Sequence, residues 1–226
     1  MAAYVEAAHV AGFDVHIHVD GDAAIRLALD AIEAAQTRHG RGERRHAIHH
    51  CMLIHADDLA RFVPLGIGAN GTASFAINQY GTLAEAWTER LGEARISARG
   101  YPYRALADAG VNFSLGADIP GVDFPEVPPL YQIAAAVTNQ RPGVRDDIFM
   151  PGGEGRTLSL AQAIRAYTLA GAIQMRMEAD IGSIETGKLA DLVVLGRDLF
   201  DVDPHELHLV GVLATMMNGR FTHDRL

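Results

Sequence analysis

A single cysteine, Cys51, in 226 residues excludes an internal disulfide and fits a reducing compartment. Lysine is as scarce: Lys188 is the only one, and the other basic residues are all arginine. Positive charge is short overall. The 19 Lys and Arg face 28 Asp and Glu, for a formal net charge of -9. That leaves no basic stripe to neutralise phosphates, so no nucleic-acid partner is expected. No apolar run approaches the roughly 20 residues that span a bilayer, so no membrane partner is expected either. The opening Met1-Ala2-Ala3-Tyr4-Val5-Glu6 has no basic stretch of the kind that begins a secretory signal, and the cytoplasm is the default location. Internal repeats and low-complexity tracts are lacking too. The remainder is ordinary for a soluble globular chain, 49% hydrophobic and 21% charged. Its length allows one large domain or one and a half small ones.

The most informative stretch runs from Asp14 through Val15-His16-Ile17-His18-Val19 to Asp20-Gly21-Asp22. It alternates like a short strand, so His16 and His18 project from one face. It stops at Gly21-Asp22, where Asp22 is placed to N-cap a helix carrying Ile25, Leu29 and Ile32 on one side. A histidine pair at a strand end suits a divalent metal. It also suits two merely hydrogen-bonded histidines, and from this stretch alone both readings stand.

The pattern then recurs. Residues 1–11 read as the tail of a helix. Arg45–Cys51 is a second short strand ending in His49-His50, and Leu65–Gly71 a third, loosened by its glycines. Asp57-Asp58-Leu59 caps a brief helix, and a polar, partly helical excursion covers Asn78 to Arg99. Tyr103–Ala109 is a helix stopped by Gly110, and Val111–Asp118 is a fourth strand ending on a carboxylate. Strands alternating with helices predict βα units and a parallel sheet. His18, His50 and Asp118 all fall at C-terminal strand ends, where a βα barrel carries its active site. Ligand-type residues at successive strand ends favour the metal reading over core histidines. Beyond Asp118 the chain changes. Pro120–Pro129 is a proline-rich loop, Arg141–Arg156 is glycine-rich and irregular, and Ser159 with Gln162 forms a capping-box pattern for a helix ending near Gly171. Ile181–Leu195 reads as two short strands around a glycine turn, the second apolar and so buried. Val210–Met217 and Arg220–His223 flank Asn218-Gly219, a hairpin dipeptide.

Ile181-Gly-Ser-Ile-Glu-Thr-Gly-Lys-Leu-Ala-Asp-Leu-Val-Val-Leu195 closely resembles the segment by which amidohydrolase-superfamily enzymes return from their barrel to a small β-sandwich. His18-Val-Asp-Gly-Asp22, followed by an alanine-rich helix, resembles the fifth-strand motif of amidohydrolase family 3, the branch containing N-substituted formamide deformylases. Arg45-His-Ala-Ile-His-His50 resembles its sixth-strand motif and Gly116-Ala-Asp-Ile-Pro120 its eighth. The resemblance covers essentially the whole chain. It implies that His18, His50 and Asp118 hold a divalent metal, typically zinc, one or two ions in the intact enzyme. Asp118 would also serve as general base for the attacking water, and the substrate would be a small amide-like molecule cut at a C–N bond. His16 is then a neighbour of the site. His49, projecting opposite to His50, has a packing or hydrogen-bonding role, and His46 is a core histidine. A rival alignment places Phe13–His18 on the first-strand His-x-His motif. It requires a bridging lysine and further histidine strands before Asp118, and Lys188 lies in the tail segment instead.

The fold expected is therefore α/β: a partial TIM-type (β/α)8 barrel, strands five to eight with their helices, over residues 1–180, then part of a C-terminal β-sandwich over 181–226. The resemblance implies that strands one to four, and the metal ligands on them, are not in this chain. Three readings follow. The chain is the C-terminal part of a metal-dependent amidohydrolase; or a catalytically inactive truncated barrel or binding module; or one half of a split barrel, completed by an N-terminal half or by a second copy in a homo-oligomer. The loops at 72–100 and 119–156 would shape the pocket in each.

Overall fold

The computed structural model describes residues 1–77, 83–121, 124–145 and 155–226. Helix α1 (Ala2–Val10) delivers the chain to β1 (His16–Val19), which is followed by α2 (Asp22–His39), β2 (Ala47–His50), two single-turn helices α3 (Ala56–Leu59) and α4 (Phe62–Leu65), and β3 (Gly68–Gly71). Helices α5 (Leu83–Leu91), α6 (Glu93–Arg99) and α7 (Tyr103–Asp108) lead to β4 (Phe113–Leu115). The four strands form one parallel sheet in the order β1-β2-β3-β4, with His18 opposite His49 and Asn70 opposite Ser114. Each crossover contains helix, as parallel neighbours demand. In α2, Ile25, Leu29 and Ile32 repeat at helical spacing and are fully buried, joining Ile48, Phe62, Ile96, Leu106 and Phe113 in the core.

Several local expectations change. Gly21 is the N-cap of α2, and Asp22 is its first residue. Asp22 accepts from the Ala23 amide at 2.9 Å and is ion-paired to Arg95 and Arg99, so its carboxylate ties α2 to α6. Asp58 likewise is buried between Arg26 and Arg61, and the cap of α3 is the His55 ring, which accepts from the Asp57 amide at 3.2 Å. The proline-rich loop ends sooner than its composition suggests: Pro129 occupies the first turn of α8 (Pro129–Thr138), where a missing N–H costs nothing. The glycine-rich segment falls mostly on 146–154, outside the described residues.

Ser159 and Gln162 form the reciprocal capping box at the start of α9 (Leu160–Tyr167). The helix breaks at Thr168 and resumes as α10 (Leu169–Gln174), past Gly171. Of the two strands expected in Ile181–Leu195, only β5 (Leu192–Leu195) forms. The residues before it turn back through Leu189 N–H to Asp180 C=O at 2.8 Å, and Lys188 pairs with Glu185 at 3.3 Å. Strand β5 is not buried. It is the edge of an antiparallel sheet, β5-β6-β7, with β6 at Val212–Met217 and β7 at Arg220–Asp224, and Val193 stays 56% exposed. The Asn218-Gly219 turn joins β6 and β7 with both residues at positive φ, as a tight hairpin requires.

Candidate metal centre

Strand β1 places His16 and His18 on one face, both exposed, while Val19 turns into the core. Strand β2 breaks its own alternation. His49 and His50 should point to opposite faces, yet His49 meets His16 (ring centroids 5.1 Å apart) and His50 meets His18 (4.5 Å, edge-on). The cause is backbone: His50 and Cys51 have φ of 68° and 50°, consecutive left-handed residues that swing the His50 ring round to its neighbour. The expected opposition of His49 and His50 is thereby overturned.

His18, Asp20 and His50 each offer a ligand atom, and these atoms all lie within 4.8 Å of one another. The His50 ring is buried, stacks on Phe75 at 5.6 Å, and leaves its Nδ1 buried with no hydrogen-bond partner among the described residues. An orphaned imidazole nitrogen beside a second histidine and a carboxylate is a donor set that fits a divalent cation. Burial, and then the neighbouring His18, lower the His50 pKa below the usual imidazole range, which keeps the ring in the neutral form that ligates. Asp20 was not singled out by the sequence. Its position two residues after His18, at a strand end, was the only available signal.

Asp118 stands apart from that cluster among the described residues. Strand β4 ends at Leu115, and the chain reaches Asp118 through Gly116-Ala117 with a left-handed φ of 53°. The exposed carboxylate lies back over its own turn: a Cβ on Gly121 would sit 2.7 Å from its Oδ2 and 3.2 Å from the Phe75 ring. Asp118 is still close enough for its charge to act on His49 and His50, opposing the burial that keeps both neutral.

Four other histidines form two hydrogen-bonded chains, His16 with His49 and His9 with His46. Gln174 Nε2 donates to Arg45 C=O at 2.8 Å, which orients its amide, and approaches His16 Nε2 at 3.3 Å; His16 Nδ1 meets His49 Nε2 at 3.1 Å. Burial lowers the pKa of His16, and lowers that of His49 to about 4. His46 is a core residue, 1% exposed, accepting at Nδ1 from the Val15 amide at 3.0 Å and meeting His9 at 2.9 Å. A cavity of ≈ 630 Å³ opens on the His16 and His49 side of the sheet, bounded by Asn70, Ser114, Tyr167 and Val193. It is lined by neither His18 nor His50, so cavity size does not mark the ligand cluster, which is identified by its donor atoms.

Three proteins illustrate what the chain is similar to. Protein LONG AFTER FAR-RED 3 of Arabidopsis thaliana is 28% identical over 96% of this chain and 35% of its own length. N-substituted formamide deformylase of Arthrobacter pascens is 28% identical over 95% of this chain and 37% of its own. The crystal structure of an uncharacterized metal-dependent hydrolase from Pyrococcus horikoshii OT3 superposes with a TM-score of 0.72 at 26% identity, covering 90% of this chain and 38% of that one. The chain thus spans little more than a third of the length of these relatives. The model of the Amidohydrolase family matches residues 1–223, and with the histidine-bearing parallel strands in place the chain belongs to amidohydrolase family 3.

Proposed function

We propose that this chain supplies the C-terminal, metal-ligating part of a metal-dependent hydrolase that cleaves a C–N bond in a small amide-like substrate. The observation that carries this is the convergence of His18, Asp20 and His50 at the C-terminal ends of adjacent parallel strands, with His50 Nδ1 buried and unpartnered among the described residues. Four parallel strands in sequential order, in a chain about a third the length of its relatives, support reading the sheet as strands five to eight of a (β/α)8 barrel. Residues 1–180 are then the barrel part and 181–226 a portion of the β-sandwich. The free edges of β1 and β4 would be completed by an N-terminal half or a second copy, because a parallel sheet is normally covered and its edges managed. Cys51, the sole cysteine, is a buried thiol whose pKa burial pushes up, which suits a reducing cytoplasm. No helix among the described residues is long and apolar enough to cross a membrane.

His18 and His50 would hold the ion through neutral imidazole nitrogens, with Asp20 beside them and Asp118 as the ligand expected from the fourth strand. A divalent ion, zinc on this donor set, would supply Lewis acidity to polarise the substrate carbonyl and acidify water. Asp118 is exposed, and with its carboxylate turned into the site it would take the proton of the attacking water and return it to the leaving nitrogen. His49 and His16 line the neighbouring cavity and would border the substrate.

One observation favours the second reading, an inactive module: the Asp118 carboxylate lies outside the ligand cluster. Elemental analysis of the purified chain with its oligomeric mass, repeated on His18→Ala and His50→Ala, decides between them. Near-stoichiometric zinc that both substitutions remove, with hydrolysis of an N-substituted formamide, supports the hydrolase. A folded chain of defined mass that binds no zinc refutes the metal-ligating reading in favour of the module.

A further inference from the structure

The His50 ring reaches His18 only because the backbone at His50 leaves the strand conformation, and the structure points to what holds it there. We propose that Tyr103 is a positioning residue for this centre. Its buried hydroxyl is inserted into the β2–β3 ladder at the rung where His50 would be pulled straight. The inference rests on the reading of His18 and His50 as metal ligands, and it explains how one of them is aimed.

In a parallel pair the hydrogen bonds repeat every two residues along the strands. The Gly68 amide donates to His46 C=O at 2.8 Å, and Ala47, Ile48 and His49 stand opposite Gly68, Ala69 and Asn70. The same spacing, four residues on, directs the Thr72 amide at His50 C=O. That rung is replaced by a relay: Thr72 N–H donates to the Tyr103 hydroxyl at 3.2 Å, and the hydroxyl donates its one proton to the nearer of two carbonyls, His50 C=O at 3.2 Å against Thr72 C=O at 3.4 Å. Both backbone groups stay satisfied while the two strands part, and His50 and Cys51 take up left-handed φ in the space. Gly71 makes the insertion sterically feasible, because a Cβ there would sit 2.6 Å from the Tyr103 ring and 2.9 Å from Phe113. The ring itself is held by Phe113 at 4.8 Å and Tyr101 at 5.7 Å, so it keeps its seat without the hydroxyl.

Tyr103→Phe preserves that packing and removes only the relay. The Thr72 amide and His50 carbonyl then close on each other, His50 returns toward extended backbone, and its ring leaves His18. The test is a Co2+ titration read by the visible absorption of the bound ion, with far-UV circular dichroism as the folding control and a crystal structure of the variant. The expected result is Co2+ binding weakened by about 10- to 100-fold, the range typical of residues that orient a ligand, with unchanged secondary structure and a negative φ at His50. Wild-type Co2+ affinity, or a His50 that stays left-handed against His18, overturns the proposal. His50→Ala is the control for the centre itself. If the unaltered chain binds no Co2+, the metal reading fails, while the backbone of His50 in Tyr103→Phe still decides the role of Tyr103. A measurement on the unaltered chain guards against a variant that does not fold: a through-hydrogen-bond coupling between Thr72 N and His50 C′ in the NMR spectrum would show the direct rung present and refute the insertion.

Discussion

Acidification from about pH 7.5 to about pH 5 is expected to cost the fold about 2 kcal/mol through one side chain, His46. Both ring nitrogens of His46 are committed. Nδ1 accepts the Val15 amide, so the proton sits on Nε2 and is given to His9 Nδ1, leaving His9 Nε2–H to donate to Gly40 C=O at 2.8 Å. A second proton on His46 would meet the Val15 N–H head on. Burial, and then the adjacent His9, lower the His46 pKa from 6.5 to about 4. The unfolded chain therefore takes up a proton below 6.5 that the folded chain refuses until about 4. Stability is fully present above the unfolded pKa and falls with pH across that window, levelling at a loss of about 3 kcal/mol. His49 is held neutral to a similar degree and adds a loss of its own, so the wild type alone does not isolate the effect. Urea unfolding of the wild type and of His46→Gln, at both pH values, does isolate it. The variant should start less stable at neutral pH, yet show a pH dependence shallower by about 2 kcal/mol. Equal dependence in the two proteins would refute the buried relay.

Two further outcomes test the packing around the site. Asp58→Asn, which leaves Arg26 and Arg61 facing a neutral side chain in a pocket where Asp58 is 2% exposed, should lower stability by about 2 kcal/mol in thermal melts. Gly182→Ala should cost about as much, because Gly182 has φ 92° and a Cβ would lie 2.6 Å from Ala172 and 3.0 Å from the Leu169 backbone. An unchanged melting temperature there would mean that Gly182 does not lie against Ala172 and Leu169 of α10.

Much of this architecture is legible in the residues. The helix over Ile25, Leu29 and Ile32 follows from spacing, the capping box from Ser159 and Gln162, and the hairpin from Asn218-Gly219. Each is a local pattern whose physics lies within a few residues. The misreadings share the opposite character. Asp22 looks like a cap until Arg95 and Arg99, more than seventy residues away, claim it. Valines in β5 look buried until the sheet proves to have an open face there. Helix α8 hid behind the prolines that begin it.

The sequence by itself determined the family and the parallel βα order, because motif spacing and hydrophobic period are carried by neighbouring residues. Tertiary structure alone decided which atoms meet. It brought Asp20 into the cluster and left Asp118 outside, and it set His50 in a left-handed turn with the Tyr103 hydroxyl in the adjoining rung. Strand alternation predicts opposite faces for His49 and His50. The turn that overrides that rule is closed locally by the Cys51 amide on His49 C=O at 2.9 Å and held from fifty-three positions away by the Tyr103 hydroxyl on His50 C=O.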